Sequence, residues 1–192
     1  MTREAGRPLR ADAQRNRDRI LAAAVRVFTE EGLNAHFERI AREAGVGTGT
    51  LYRNFATREA LIEAAYRNEV ARLCDAVPRL LEESAPDVAL HTWTRHFIDY
   101  VTAKLGMAEA LRAVVASGSD PYSESRELIQ AALSSLLEAG VAAGTIRSDI
   151  RPADMFAALA GIALTCGQPG QRAQAERVLD LVLDGLRATP PG

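Results

Sequence analysis

The chain has 192 residues, a formal net charge of −2 and 47% hydrophobic residues, enough for one large domain or two small ones. Alanine and leucine dominate and β-branched runs are absent, so an all-α protein is the expectation. Cys74 and Cys166 lack metal-ligand spacing and suit a reduced cytoplasm; no apolar leader opens the chain, and the mostly apolar run 155–166 is too short to cross a bilayer core of ~30 Å.

Charge is unevenly spread. Residues 1–60 hold 11 Arg against 8 Asp and Glu, whereas residues 61–192 hold 12 basic against 17 acidic side chains. A basic front and an acidic rear suit a nucleic-acid-binding head on a body that does not bind it. Residues 1–11 carry Arg3, Arg7 and Arg10 around Gly6 and Pro8. They read as a flexible basic arm for phosphates or the minor groove.

A first helix is expected from about Asp12 to Glu31, with Ile20, Ala24, Val27 and Phe28 as its apolar stripe. Gly32 closes it. A second helix covers Phe37–Ala44, preceded by His36, a poor N-cap. Ile40, Ala41 and Ala44 give it an apolar face. Gly45 then turns the chain at positive φ, and Val46 plugs the corner. A third helix covers about Thr48–Asn54. Leu51 and Phe55 share its back, while Gly49 and Arg53 point away, flanked by Thr48, Thr50 and Tyr52. So short a helix, apolar behind and polar in front, fits a DNA major groove.

The fourth helix follows Thr57 as N-cap and reaches about Val77, where Pro78 should end or kink it; residues 79–84 add a further turn or two. Pro86 opens the fifth at N1. That helix reaches about Leu105 and gathers Trp93, Phe97 and Tyr100 on one broad face. Met107–Ala116 is a sixth helix, and 117–125 a polar loop with turn chemistry. The seventh runs from about Ser123 to Ala143, closed by Gly144, and residues 145–150 form a short extended connector. The eighth starts near Pro152 and ends about Cys166. After a turn at 167–170, the ninth runs from about Gln171 to Arg187.

The stretch IAREAGVGTGTLYRNFATREALIEA, residues 40–64, resembles the DNA-binding signature of TetR-type transcriptional regulators. The match is carried by Ile40, Ala41, Ala44-Gly45-Val46, Gly49-Thr50-Leu51-Tyr52, Phe55 and Arg58-Glu59-Ala60-Leu61, with Gly32 ahead of them. It covers about residues 12–65; the rest is similar in architecture, and LLEAGVAAGTIRSDI looks like a common element of such bodies. Two departures stand out. Ala35-His36 occupy the place where Thr or Ser often caps the second helix, and Gly47 the place where Ser often opens the third.

The resemblance implies an all-helical homodimer, with a helix-turn-helix head at 12–57 and a ligand-binding and dimerising body at 58–192, the fourth helix connecting them. In the head, Thr48, Tyr52 and Arg53 are candidates for base edges. Arg53 pairs with a guanine or clamps a phosphate. Gly49 lets the backbone approach DNA. Thr50, Tyr52 and Asn54 are phosphate candidates, as is Arg58 in the first turn of the fourth helix. Two heads on half-sites ~34–36 Å apart, or a multiple of it, imply an inverted-repeat operator.

In the body, Trp93, His96, Phe97, Tyr100, Lys104, Met107, Leu159 and Ile162 outline a candidate pocket for a small, largely apolar effector; the alternative is a plain core stripe. The small residues Ala157, Ala158, Ala160, Gly161 and Ala163 permit close helix approach. With them, Phe156, Leu164, Val178, Leu179, Val182 and Leu186 are candidates for a four-helix dimer interface. The expected function is a cytoplasmic, ligand-responsive regulator, most often a repressor in such proteins, with no metal, cofactor or membrane partner. No Gly-rich phosphate loop, metal cluster or nucleophile elbow suggests an enzyme. The competing reading is an architectural DNA binder without a ligand.

Overall fold

The computed structural model describes the backbone of residues 6–166 and 169–188 and the side chains of residues 12–166 and 170–188. Among the described residues the helices are α1 (Gly6–Glu31), α2 (Phe37–Ala44), α3 (Thr48–Asn54), α4 (Arg58–Glu83), α5 (Pro86–Gly106), α6 (Ala108–Ala116), α7 (Ser125–Ala142), α8 (Pro152–Cys166) and α9 (Arg172–Asp184). Short 3-10 turns occupy Gly32–Asn34 and Pro169–Gln171. The all-α expectation therefore holds.

The element boundaries at α1 and α4 differ most from expectation, while α7 starts two residues later and α9 ends three residues earlier than expected. α1 begins at Gly6 rather than near Asp12; a proline in a first helical turn removes an N–H that has no helical partner there. The arginine side chains assigned to a basic arm, Arg3, Arg7 and Arg10, lie outside the described residues. α4 runs through Pro78 to Glu83. A proline inside a helix costs about 3 kcal/mol or more. Val77 and Leu80, on either side of it, are 4% and 7% exposed, and burying each contributes about 1.5–3 kcal/mol. Packing on both sides of the proline thus offsets the lost bond, and the helix continues.

The chain divides into two compact units, with the division falling inside α4 after Asn68. The first unit takes the chain up to Asn68 together with Gly106–Pro121. Its core holds the expected α1 stripe, Ile20, Ala24, Val27 and Phe28, together with Ile40, Leu51 and Leu61, each 0% exposed. α6 packs beside the turn at Gly32–Asn34. Gly106 lies so close to Thr29 that any Cβ there would collide with its side chain.

The second unit takes Glu69–Leu105 and the chain from Tyr122 onward. Trp93, Leu133, Leu136 and Leu179 are fully buried in it. Gly140 lacks a Cβ where Ile146 of the 145–150 connector crosses α7. The connector is tied to the end of the chain by Arg147 N–H to Leu186 O, 2.9 Å, and Ala188 N–H to Thr145 O, 3.1 Å. α5 and α9 carry a ladder of polar and charged pairs at steps of one helical turn. His91 Nε2 stands 3.3 Å from Asp180 Oδ1, Arg95 pairs with Glu176 at 3.4 Å, and Asp99 pairs with Arg172. The spacing 91, 95, 99 against 180, 176, 172 makes the two helices antiparallel.

Candidate nucleic-acid interface and body seam

The head is built by one turn. α2 ends in a left-handed Gly45, φ 66°. Gly45 N–H donates to Arg42 O at 3.2 Å, and Val46 N–H to Ala41 O at 3.0 Å. Those two bonds are the Schellman pattern, and they satisfy carbonyls that the end of a helix leaves unpaired. The chain leaves the turn already aimed at α3. Gly47 is the N-cap of α3 and offers no side-chain cap bond, but its carbonyl accepts from Thr50 N–H at 2.8 Å.

α3 buries Leu51 at 0% and seats Phe55 just beyond it at 3%. On its front, Gly49, Tyr52, Arg53 and Asn54 are exposed, and Thr48 and Thr50 are half-buried. Tyr52, 50% exposed, leans its ring on Phe37 at a centroid distance of 5.0 Å. Arg53 Nη2 donates to Thr50 Oγ1 at 2.9 Å, and Asn54 Nδ2 to Thr50 O at 2.8 Å. A Cβ added to Gly49 would meet no protein atom within 4 Å. The protein's own packing therefore does not demand glycine at this position.

Arg58, a phosphate candidate, turns its guanidinium inward and donates to three backbone carbonyls of residues 32–35. It also forms part of a cleft of about 400 Å³ with Ala35, His36, Phe37, Glu38, Tyr52 and Ala56. Arg17, on α1, lies over the Phe55 ring at 4.6 Å and brings a further cation to the back of α3.

In the body the residues expected to form one pocket separate. Trp93 is a core residue, 0% exposed, with Nε1 donating to Leu73 O at 2.9 Å. The buried indole thus has the partner that its donor requires. His96 and Tyr100 face an open, mostly charged cleft of about 490 Å³ with Glu69, Arg72, Asp75, Arg79 and Asp99. Lys104 lies over the Tyr122 ring at 4.6 Å, and burial pulls its pKa below the usual lysine range. Met107 packs at 1% exposure in the first unit. Phe97, Leu159 and Ile162 do converge, in a seam completed by Val101, Ala163, Cys166 and Ala175 around an apolar space of only about 10 Å³.

The residues assigned to a dimer interface also divide. Leu164 is 85% exposed, and Phe156, Val178 and Val182 are half-buried. Leu179 and Leu186, by contrast, are buried in the protomer itself, at 0% and 6%. Leu181 is a further exposed apolar side chain, at 72%. It sits four residues beyond Arg177 on the polar edge of the α9 stripe, where a wheel drawn around the buried leucines leaves it out. A second cleft, of about 500 Å³ and lined by Asp87, His91, Ile146, Asp180, Asp184 and Arg187, also went unread. Its walls come from segments far apart in sequence. Among the described residues no group of His, Cys, Asp or Glu is placed to hold a metal ion, and no helix is long and apolar enough to cross a membrane.

Two helices joined by a left-handed glycine, the second presenting a polar front, define a helix-turn-helix DNA-binding protein on an all-helical body. Residues 20–65 match the family model of bacterial regulatory proteins of the tetR family. Residues 85–188 match the model described as the C-terminal domain of SbtR-like transcriptional regulators. A TetR transcriptional regulator from Streptomyces coelicolor of known structure is 78% identical, with 90% of this chain and 99% of that chain covered and a TM-score of 0.88. A TetR regulatory protein from Mycobacterium vanbaalenii is 37% identical, covering 94% and 100%, with a TM-score of 0.77. The transcriptional repressor AcnR of Corynebacterium diphtheriae is 28% identical over 182 residues, 91% of this chain and 93% of the relative. The chain belongs to the TetR family of bacterial transcription regulators: a DNA-binding regulator, not an enzyme.

Proposed function

We propose that the chain acts in the cytoplasm as a homodimeric repressor on an inverted-repeat operator and is released by a small, largely apolar effector. The front of α3 carries this reading. Thr48, Tyr52 and Arg53 reach base edges, Thr50 and Asn54 steady the helix end and touch phosphate, and Gly49 lets the backbone come close. Leu164 and Leu181, at 85% and 72% exposed, are large apolar side chains whose burial supports pairing of α8 and α9 with a second copy. Repression follows the similarity to AcnR, a named repressor.

The effector enters at the seam of Phe97, Leu159 and Ile162. With about 10 Å³ of free space there, binding requires the helices to part. It shifts the protein toward a state with different head geometry, by a differential affinity of about 1–3 kcal/mol. The closed seam is also the observation that favours the second reading, a DNA binder without a ligand. One experiment separates them. A labelled duplex enriched by the protein from randomised DNA should show an inverted repeat and bind two protomers. A panel of aliphatic and aromatic small molecules is then screened for its release. A non-repetitive site bound by one protomer removes the dimer reading, and no release by any compound leaves the ligand-free binder.

A further inference from the structure

Arg58 is placed at the start of α4, where its charge would suit a phosphate, but its donors are committed elsewhere. Nη1 donates to Ala35 O at 2.9 Å. Nη2 donates to Gly32 O at 3.2 Å and to Leu33 O at 2.6 Å. The guanidinium carbon lies 5.3 Å from the Phe28 ring centroid. Nε is buried and has no partner among the described residues. Of the five N–H groups of a guanidinium, a single Nη1–H is left for anything outside. Glu38 lines the same cleft as Arg58, and its carboxylate opposes a phosphate there.

The three carbonyls belong to the turn that leaves α1 and delivers the chain to α2. Gly32 holds φ 55°, and a Cβ on it would lie 3.1 Å from Glu109 Oε2 of α6. Ala35, 1% exposed, directly precedes His36, the N-cap of α2, which makes no side-chain cap bond. No side-chain cap fixes where α2 begins. What fixes it is the turn before it, and Arg58 grips that turn at the carbonyls of Gly32, Leu33 and Ala35.

We infer that Arg58 is a positioning residue for DNA reading and not a phosphate contact. It sets the start of α2, and the Gly45 turn carries that setting to α3. The role calls for arginine. A planar fork reaches several carbonyls at once, whereas a lysine ammonium is a single point donor on a flexible stem.

The test uses the full chain and a fluorescein-labelled duplex enriched by the wild-type protein from randomised DNA. Arg58→Lys and Arg58→Gln are titrated by anisotropy across a KCl series, beside a scrambled duplex. Both variants are expected to bind the selected duplex about 10-fold or more weakly, with the wild-type slope of log K against log salt, because the number of neutralised phosphates is unchanged. Binding to the scrambled duplex should fall far less, so the specificity ratio drops; a merely smaller folded fraction would lower both equally. A slope shallower by about 0.9, with lysine restoring affinity, assigns Arg58 to a phosphate and overturns the inference. So does binding within about 2-fold of wild type in both variants. Wild-type protein labelled with 15N-arginine gives a readout independent of variant folding. The Arg58 Nη–H signals should be slow-exchanging before DNA is added and unshifted after. Signals that sharpen only on the duplex overturn the inference.

Discussion

Gly49 is the position where stability and function should move in opposite directions. It is exposed, and an added methyl would meet nothing in the protein within 4 Å. It lies in the second position of α3, so alanine replaces a residue with excess backbone freedom in the unfolded chain. Glycine in mid-helix costs roughly 0.5–1 kcal/mol relative to alanine, and a position this close to the helix start falls at the lower end. Gly49→Ala should therefore raise stability by about 0.5 kcal/mol, a gain of about 1–2 °C in melting temperature for a chain of this size. With α3 in the major groove as proposed, the same methyl would stand between the backbone and the floor of the groove. Forcing a methyl into a packed contact costs about 1–3 kcal/mol, which is about 5- to 150-fold in affinity for the selected duplex. Calorimetry and anisotropy on one preparation read both quantities. Affinity within 2-fold of wild type would refute the reasoning, because the backbone at 49 would then not be the closest approach. A lower melting temperature would refute the other half, since the methyl would have met something.

Three further outcomes follow from the geometry. Gly45→Ala puts a Cβ on a left-handed residue, φ 66°, and should cost about 1–2 kcal/mol in urea unfolding; no loss would mean that the turn relaxes. Each buried leucine is worth about 1.5–3 kcal/mol, so Leu164→Asp or Leu181→Asp should turn a dimer into monomers in sedimentation velocity with helicity kept; a dimer indifferent to both would remove this face from the interface. Burial, with Asp75 adding to it, pushes the Cys74 thiol up to about 11 from its ordinary 9.0. Native Cys74 should then alkylate about 100-fold more slowly at pH 8 than the unfolded chain, read by mass spectrometry; equal rates would refute the burial argument. Because the folded thiol keeps its proton longer than the unfolded one, its contribution is full below pH 9 and is lost as pH rises through about 11.

What was legible in the chain is what local chemistry decides. α2, α3 and α8 fall where the residues place them, because Gly45 and Pro152 mark ends that depend on a few neighbouring residues. The α1 stripe was legible because helical periodicity survives any arrangement of partners. Illegible were the outcomes that depend on a distant segment. Trp93 reads as a pocket wall until Leu73 O supplies its acceptor. Arg58 reads as a cation with free donors until the carbonyls of residues 32–35 arrive beneath it. Pro78 reads as an end or a kink, with a turn or two beyond it, until burial on both sides lets one helix run through. Leu179 and Leu186 read as surface for a partner until the protomer's own core takes them.

The α5–α9 charge ladder has a consequence for how the body can move. Its members are largely exposed, and exposed pairs contribute only about 0–1 kcal/mol each, so as glue it is weak. Its pattern nonetheless marks one register. Sliding α9 by one turn, about 5.4 Å, sets Arg95 against Arg172 in one direction and Asp99 against Glu176 in the other. Either slip brings one like-charged pair together, although the slip that sets Asp99 against Glu176 also places Arg95 opposite Asp180. At about 0–1 kcal/mol per exposed pair, the ladder favours this register over a one-turn ratchet step without forbidding it. Any parting of α5 from α9 has to break these pairs in turn, and the apolar seam, with Phe97 from α5 and Ala175 from α9, lies beside them.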